Sequence, residues 1–335
     1  MTPSEGARMA RVLALILFML QPAAAVAERC EGRDLIAALP APEREALLSR
    51  ASAAPYDEGL LWRATRQDTE ITLFGTYHFR HAKTRAHLDR LKPLIARSDT
   101  VYLEMSPQDQ ERFEDRLARS PSLMFITDGP TLPDLLGDAD WQTFRTEMAK
   151  RRIPGLMAAK FKPAWAAMML GIGPCEARNG ALEGKGIDEL VGMEARRAGI
   201  RTRSLERFDK VLGQLDETPL DKQLDMIRLT LDLPADADDM SYTIRERYLR
   251  EQTALTWEFS RHLSLEHGGP TAARDFARLE NVLLTGRNTA WVEKLMAEAR
   301  GQRVLVAAGA GHLPGEAGLL QLLRRHGFSI RRLPL

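Results

Sequence analysis

The chain has 335 residues, 44% of them hydrophobic and 28% charged, with a formal net charge of +1. That is ordinary globular composition, enough for one large domain or two modest ones. The balanced charge and the absence of a long basic cluster argue against a nucleic-acid partner, and Arg196-Arg197 and Arg324-Arg325 read as solvated helix faces.

At the N-terminus, Arg8 and Arg11 precede the apolar run Val12 to Leu20, then Gln21-Pro22 and Ala23 to Ala27. A positive start, a short apolar core and the small pair Ala25 and Ala27 predict a signal peptide over residues 1–27. The run is too short for a comfortable membrane span. The Ala27-Glu28-Arg29 stretch before Cys30 is not a lipidation setting. The expectation is therefore a soluble periplasmic or secreted protein over 28–335, with no stable membrane insertion after cleavage. The only cysteines are Cys30 and Cys175. In an oxidising compartment an even pair favours one disulfide that pins the mature N-terminus, with two unpaired thiols as the alternative. A cysteine metal site would need more ligands at close spacing.

Residues 31–53 carry helical spacing, broken at Pro40 and Pro42. Leu60 to Arg66 and Glu70 to Phe74 read as the arms of a hairpin turning at Gln67-Asp68. A helix is predicted over 85–96, then a strand over Thr100 to Leu103 that stops at Glu104. A Met- and Leu-rich helical insertion follows around 106–171, cut by Pro121, Pro133, Pro154 and Pro163. Such an insert is usually packing, with a lid or groove wall as the functional alternative. Gly186-Ile-Asp188 opens a helix to Ala198 with Asp188 as N-cap. Ile200 to Leu205 is a strand that stops at Glu206. Helices fill 209–299 around a polar break at 232–239. Val304 to Ala308 is a buried strand, Gly315 to Arg325 an amphipathic helix and Phe328 to Leu333 a closing strand. Helices alternating with short apolar strands give an α/β class, a central sheet flanked by helices with a helical insertion.

Two of these strands end alike. Gly75-Thr-Tyr-His78 follows the first buried strand, and Gly309-Ala-Gly-His312 follows the last. Glycine allows a left-handed turn or close backbone packing, so the following side chains can converge over a strand end, where open α/β sheets hold their ligands. With Glu104 and Glu206, four strand ends carry imidazole or carboxylate, the usual ligands of a hydrolytic divalent metal. A lone histidine there is more often structural, and a lone glutamate often a solvated edge residue. The repeated grammar is what lifts the pair. Serine-hydrolase elbow, zincin and Walker patterns are absent from the sequence. Gly309 to Gly315 has the outline of a phosphate loop, but Pro314 and the missing acidic ribose partner count against it. Arg287-Asn288 is a candidate anion fork or a helix-surface pair.

Together these fragments resemble the TraB/GumN family, which includes the TIKI metalloproteases. The likeness runs over about 57–333 through Leu73 to His78, Ser98 to Glu104, Lys162 to Trp165, Gly186 to Asp188, Ser204 to Glu206, Arg287-Asn288 and Ala308 to Gly315. Tyr77 stands where an aliphatic residue is more usual. The resemblance implies a fold of the erythromycin-esterase and ChaN group, with both Gly-x-x-His motifs on one cleft. It implies hydrolysis dependent on a divalent ion of the Mn²⁺ or Co²⁺ type, or Zn²⁺. By position, His78 and His312 become metal ligands, Glu104 a ligand or general base, and Glu206 a second acid. Arg287 and Asn288 become the substrate-polarising group.

Three functions follow. The first is an exported metal-dependent hydrolase of peptide or amide bonds, acting on a peptide or small-molecule substrate. The second is a binding protein for haem, metal or peptide on the same scaffold. The third is an accessory factor in exopolysaccharide production. A separation of His78 and His312 beyond roughly 10 Å would exclude one shared site, given metal–nitrogen bonds of about 2 Å.

Overall fold

The segment Thr69–Thr76 is buried at seven of its eight positions, which a strand tolerates only at the centre of a covered sheet. In the computed structural model, which describes residues 30–181, 186–207, 213 and 217–335, it is β2. Residues 1–27, where the sequence predicts a signal peptide, lie outside the described residues. The other strands are β1 (Leu61–Arg66), β3 (Thr100–Leu103), β4 (Arg201–Ser204), β5 (Arg303–Gly309) and β6 (Ser329–Arg332). They form one six-stranded sheet in the order β4-β3-β5-β2-β1-β6. The four strands β4, β3, β5 and β2 run parallel, while β1 pairs antiparallel with both β2 and β6. The chain is an α/β protein with a mixed sheet flanked by helices.

Alternation along β5 divides the core. Val304, Val306 and Ala308 face one layer with Trp291, Val292 and Leu295 of the helix Gly286–Glu298 and Leu319, Leu320 and Leu323 of the helix Leu319–Arg325. Leu305 and Ala307 face the opposite layer, against Leu91 and Ile95 of the helix Ala82–Ala96 and Ile187, Val191 and Ala195 of the helix Ile187–Arg197. A period of two along a strand dictates this split.

The proline-cut insertion forms the helices Pro107–Arg119, Leu132–Leu136, Asp138–Lys150, Gly155–Ala158 and Pro163–Leu170. Its apolar side chains build a separate cluster, Leu132, Phe144, Met148, Phe161 and Leu170 among them, completed by Leu224 and Ile227 from the helix Leu220–Asp232. The insertion is thus packed as a subdomain on that later helix.

Two sequence expectations are corrected. Gly186, not Asp188, caps the helix Ile187–Arg197, and Asp188 stands in its first turn. The final helix begins at Leu319 rather than Gly315, because the chain after β5 makes a 3₁₀ turn and Gly315 takes φ +90°.

The N-terminal segment is tied down covalently and ionically. Cys30 and Cys175 form a disulfide across 145 residues of sequence. The Cys30 carbonyl accepts from Arg245, whose buried guanidinium also pairs with Glu176 at 2.6 Å. Arg247 pairs with Asp34. Among the described residues, no helix is long and apolar enough to cross a membrane. A crosslink over so long a loop constrains the unfolded chain strongly. The double variant Cys30→Ser, Cys175→Ser is expected to lose about 2–5 kcal/mol of stability, read by denaturant unfolding with the slope of the transition compared to wild type.

Candidate active site

Strand order brings the four strand ends together. In register, Thr76 pairs with Gly309, and Leu103 pairs with both Ala307 and Ser204. His78, Glu104, Glu206 and His312 therefore emerge side by side at the carboxyl edge of the parallel strands. Neither Gly75 nor Gly309 has positive φ. Their glycines serve close approach instead. A Cβ on Gly309 would stand 3.1 Å from His78 Nε2 and 3.2 Å from Glu104 Oε1, and one on Gly75 2.9 Å from Leu313.

Glu104 is the meeting point. Its Oε1 accepts the Gly309 amide at 2.6 Å and lies 3.9 Å from His78 Nε2 and 3.8 Å from His312 Nε2. Its Oε2 accepts from Arg287 Nη2 at 2.6 Å. Arg287 also donates from Nε to Glu206 Oε1 at 2.7 Å and from Nη1 to the Leu283 carbonyl, while its guanidinium lies 4.7 Å from the centre of the Trp291 ring. A π-helical turn over Asn281–Thr285 immediately precedes the helix that carries Arg287 and Asn288. Such turns shift the side-chain phase of a helix, and here that phase aims the arginine between two acids.

Each imidazole is oriented by a partner on its far nitrogen. His312, almost fully buried, has Nδ1 2.6 Å from Asn288 Oδ1. Asn288 donates its amide group to the carbonyls of Ala317 and His312. The hydrogen-bond network thus assigns the proton to Nδ1 and leaves the Nε2 lone pair facing Glu104 and Arg287 Nη1, the latter at 3.3 Å. His78 has Nδ1 3.4 Å from Asp188 Oδ2, and its side chain is 54% exposed. Gly186 permits this: a Cβ there would collide with the His78 carbonyl, and the Ile187 amide bonds the Tyr77 carbonyl.

Electrostatics separate the two histidines. Burial opposes charge on His78, but the Asp188 and Glu104 carboxylates outweigh it and push its pKa up to about 9, an attraction that solvent screens at this half-open position. Burial drives His312 down to about 3, with Arg287 and His78 adding to it against Glu104. Burial works against the Glu104 anion too, yet the surrounding imidazoles, Arg287 and the Gly309 amide hold it well below the usual carboxylate range. With His312 neutral, the charges of His78 and Arg287 carry that effect.

All six residues singled out from sequence converge here, together with Asp188, which the sequence marks as a cap and part of a family-like fragment but not as a site residue. Asn288 is buried and faces His312 rather than open space. Glu206 and Arg287 line a cleft of about 630 Å³ with Ser106, Arg112, Arg203 and Lys294. A second cavity of about 420 Å³ lies beside the helix Leu220–Asp232 and meets this cleft at Val282, but none of the strand-end groups reaches it.

For a metal, the donor types and their orientation fit: two imidazole nitrogens, each held by a carboxylate or amide behind it, aimed at one carboxylate oxygen. Arg287 holds the cationic position beside Glu104 and His312, and the three ligand atoms are not drawn within 4.8 Å of one another as a preformed cage would be.

Residues 60–332 match the family described as TraB/PrgY/gumN. No curated protein matches the chain.

Two outcomes test the electrostatics. Asp188→Asn should lower the His78 pKa from about 9 toward 6.5, followed by NMR titration of the imidazole. In chelator-treated protein, the unfolded chain takes up a proton on His312 near pH 6.5, whereas the folded chain does so only near 3. The unfolded state binds more protons across that window, so stability falls as pH drops through it. The acid loss should be smaller in His312→Gln than in wild type by denaturant titration.

Proposed function

The chain belongs to the TraB/PrgY/gumN family, and from that premise we propose that it is an exported metal-dependent hydrolase of peptide or amide bonds. The observation that carries this reading is the convergence of His78 Nε2 and His312 Nε2 on Glu104 Oε1 beside an arginine that lines an open cleft. His78, His312 and Glu104 would hold the ion. Bound there, a divalent cation of the Mn²⁺, Co²⁺ or Zn²⁺ type supplies Lewis acidity for polarising a carbonyl.

The remaining roles fall to side chains. Arg287 presents a guanidinium, fixed by Glu206, where negative charge develops on a carbonyl oxygen, and its burial strengthens that stabilisation. Glu104 is a strongly stabilised anion, which suits a ligand better than a base, since an efficient base has a pKa near the working pH. Asn288 fixes the tautomer of His312, and Asp188 orients the His78 ring through Nδ1. The Cys30–Cys175 disulfide supports an oxidising compartment and so the export reading.

A second reading keeps the residues and dispenses with the ion. The Asp188–His78 pair, half open to solvent, has the base-plus-orienter geometry in which Nε2 moves a proton while the carboxylate steadies Nδ1.

The deciding experiment measures Mn²⁺, Co²⁺ and Zn²⁺ binding by wild type and by the His78→Ala, His312→Ala variant. One equivalent lost in the variant supports the metallohydrolase and directs screening to peptides and amides. Equal or absent binding at this centre sinks it and leaves the acid–base reading. On any substrate so found, Arg287→Ala should lower kcat by about 10²–10³-fold, the usual effect of removing an oxyanion donor, with the fold retained by circular dichroism.

A further inference from the structure

A separate convergence of ligating side chains lies where the helix Ala41–Ser52 packs against the helix Thr253–His267. His262 and Glu266 sit one turn apart on the second helix and so share a face. Glu43, in the first turn of the other helix, meets them. His262 Nε2 is 3.3 Å from Glu266 Oε2 and 3.9 Å from Glu43 Oε2. One ligand atom from each of the three lies within 4.8 Å of the other two.

Three further observations distinguish this from a surface ion pair. Although a carboxylate oxygen stands 3.3 Å away, His262 Nε2 is sealed from solvent and makes no hydrogen bond, so the nitrogen is covered but unused. Among the described residues, neither Glu43 nor Glu266 has a lysine or arginine at salt-bridge distance; their neighbours are the imidazoles of His262 and, 3.8 Å from Glu266 Oε2, His267. Both carboxylates are about half exposed, at 46% and 49%, so each has room to turn toward an ion at Nε2.

We infer that Glu43, His262 and Glu266 form a structural zinc site joining these two helices. One imidazole nitrogen and two carboxylate oxygens match the ligand chemistry of a borderline divalent cation, and two negative charges balance it. Water completes the shell. The bond lengths of about 2.0–2.2 Å need the carboxylates to close over Nε2. The apolar contact beneath, with Leu47 and Ala51 of the first helix against Leu255 and Phe259 of the second, already holds the two backbones in place. Because the ion binds only the folded arrangement, it stabilises the docking of the helix Ala41–Ser52.

The test uses Zn²⁺ alone, titrated by calorimetry into chelator-treated full-length protein carrying His78→Ala and His312→Ala, which silences the other centre. One equivalent should still bind and raise the thermal midpoint by a few degrees. Adding His262→Ala should weaken binding at least tenfold and remove the shift. If the background variant does not fold, Glu43→Gln, Glu266→Gln in the otherwise wild-type chain should reduce Zn²⁺ stoichiometry by one. Absence of binding in the silenced background, or binding indifferent to His262 and to both glutamates, would mean a surface ion pair only and overturn the site. Either result is independent of whether the strand-end centre holds a metal.

Discussion

A carboxylate drawn largely out of water has to be neutralised, and Glu104, its side chain 20% exposed, is the one on which the centre depends. Taking an anion out of water is costly unless donors and opposite charge replace the lost hydration. Here the Gly309 amide, the Arg287 guanidinium and the charged imidazole of His78 take that place. Each partner arrives from a different element, so the one carboxylate ties β3, β5, the end of β2 and the helix Gly286–Glu298 together. Glu206 holds the arginine from the fifth direction, beyond β4.

The sheet is what makes this tie possible. Four parallel strands in the order β4-β3-β5-β2 end at nearly one level, and β3 and β5, which are far apart in sequence, are neighbours. Glycine at 309 then lets the backbone itself enter the cluster, where a Cβ would press on His78 and Glu104. The two histidines, alike in local sequence, end in opposite environments. His312 is enclosed by Trp291 and Asn288 and stays neutral, whereas His78 faces the solvent with a carboxylate behind it. One fold thereby sets a fixed imidazole beside an adjustable one, the separation that acid–base and metal chemistry both use.

Away from the centre, stability comes from pieces that each close their own core. The insertion packs with the helix Leu220–Asp232, and the N-terminal helices pack with the helix Thr253–His267. The disulfide and the buried Arg245–Glu176 pair fasten the start of the described chain near residue 175. A buried ion pair of this kind adds little against an apolar replacement but is costly to break on one side, which fits a role in fixing where the N-terminal segment lies.

By itself the sequence determined the elements and the chemistry at their ends. Apolar runs of strand length, the Gln67-Asp68 turn and the proline breaks are local signals, and the hairpin, β3, β4, β5 and the segmented insertion lie where those signals put them. His78, Glu104, Glu206, Arg287, Asn288 and His312 were all legible as candidates because each sits at the end of a strand or the start of a helix. Tertiary structure alone decided that they meet, since strand order is a matter of long-range pairing that no local pattern encodes. It also decided their division of labour. Asn288 turns inward to His312 because the π-helical turn sets the phase of its helix. Asp188, legible in sequence as a cap-like position within a family-like fragment but with no role assigned, becomes the partner of His78 because Gly186 lets two backbones touch. Side-chain identity is written along the chain; proximity, burial and protonation arise only when distant segments are packed against each other.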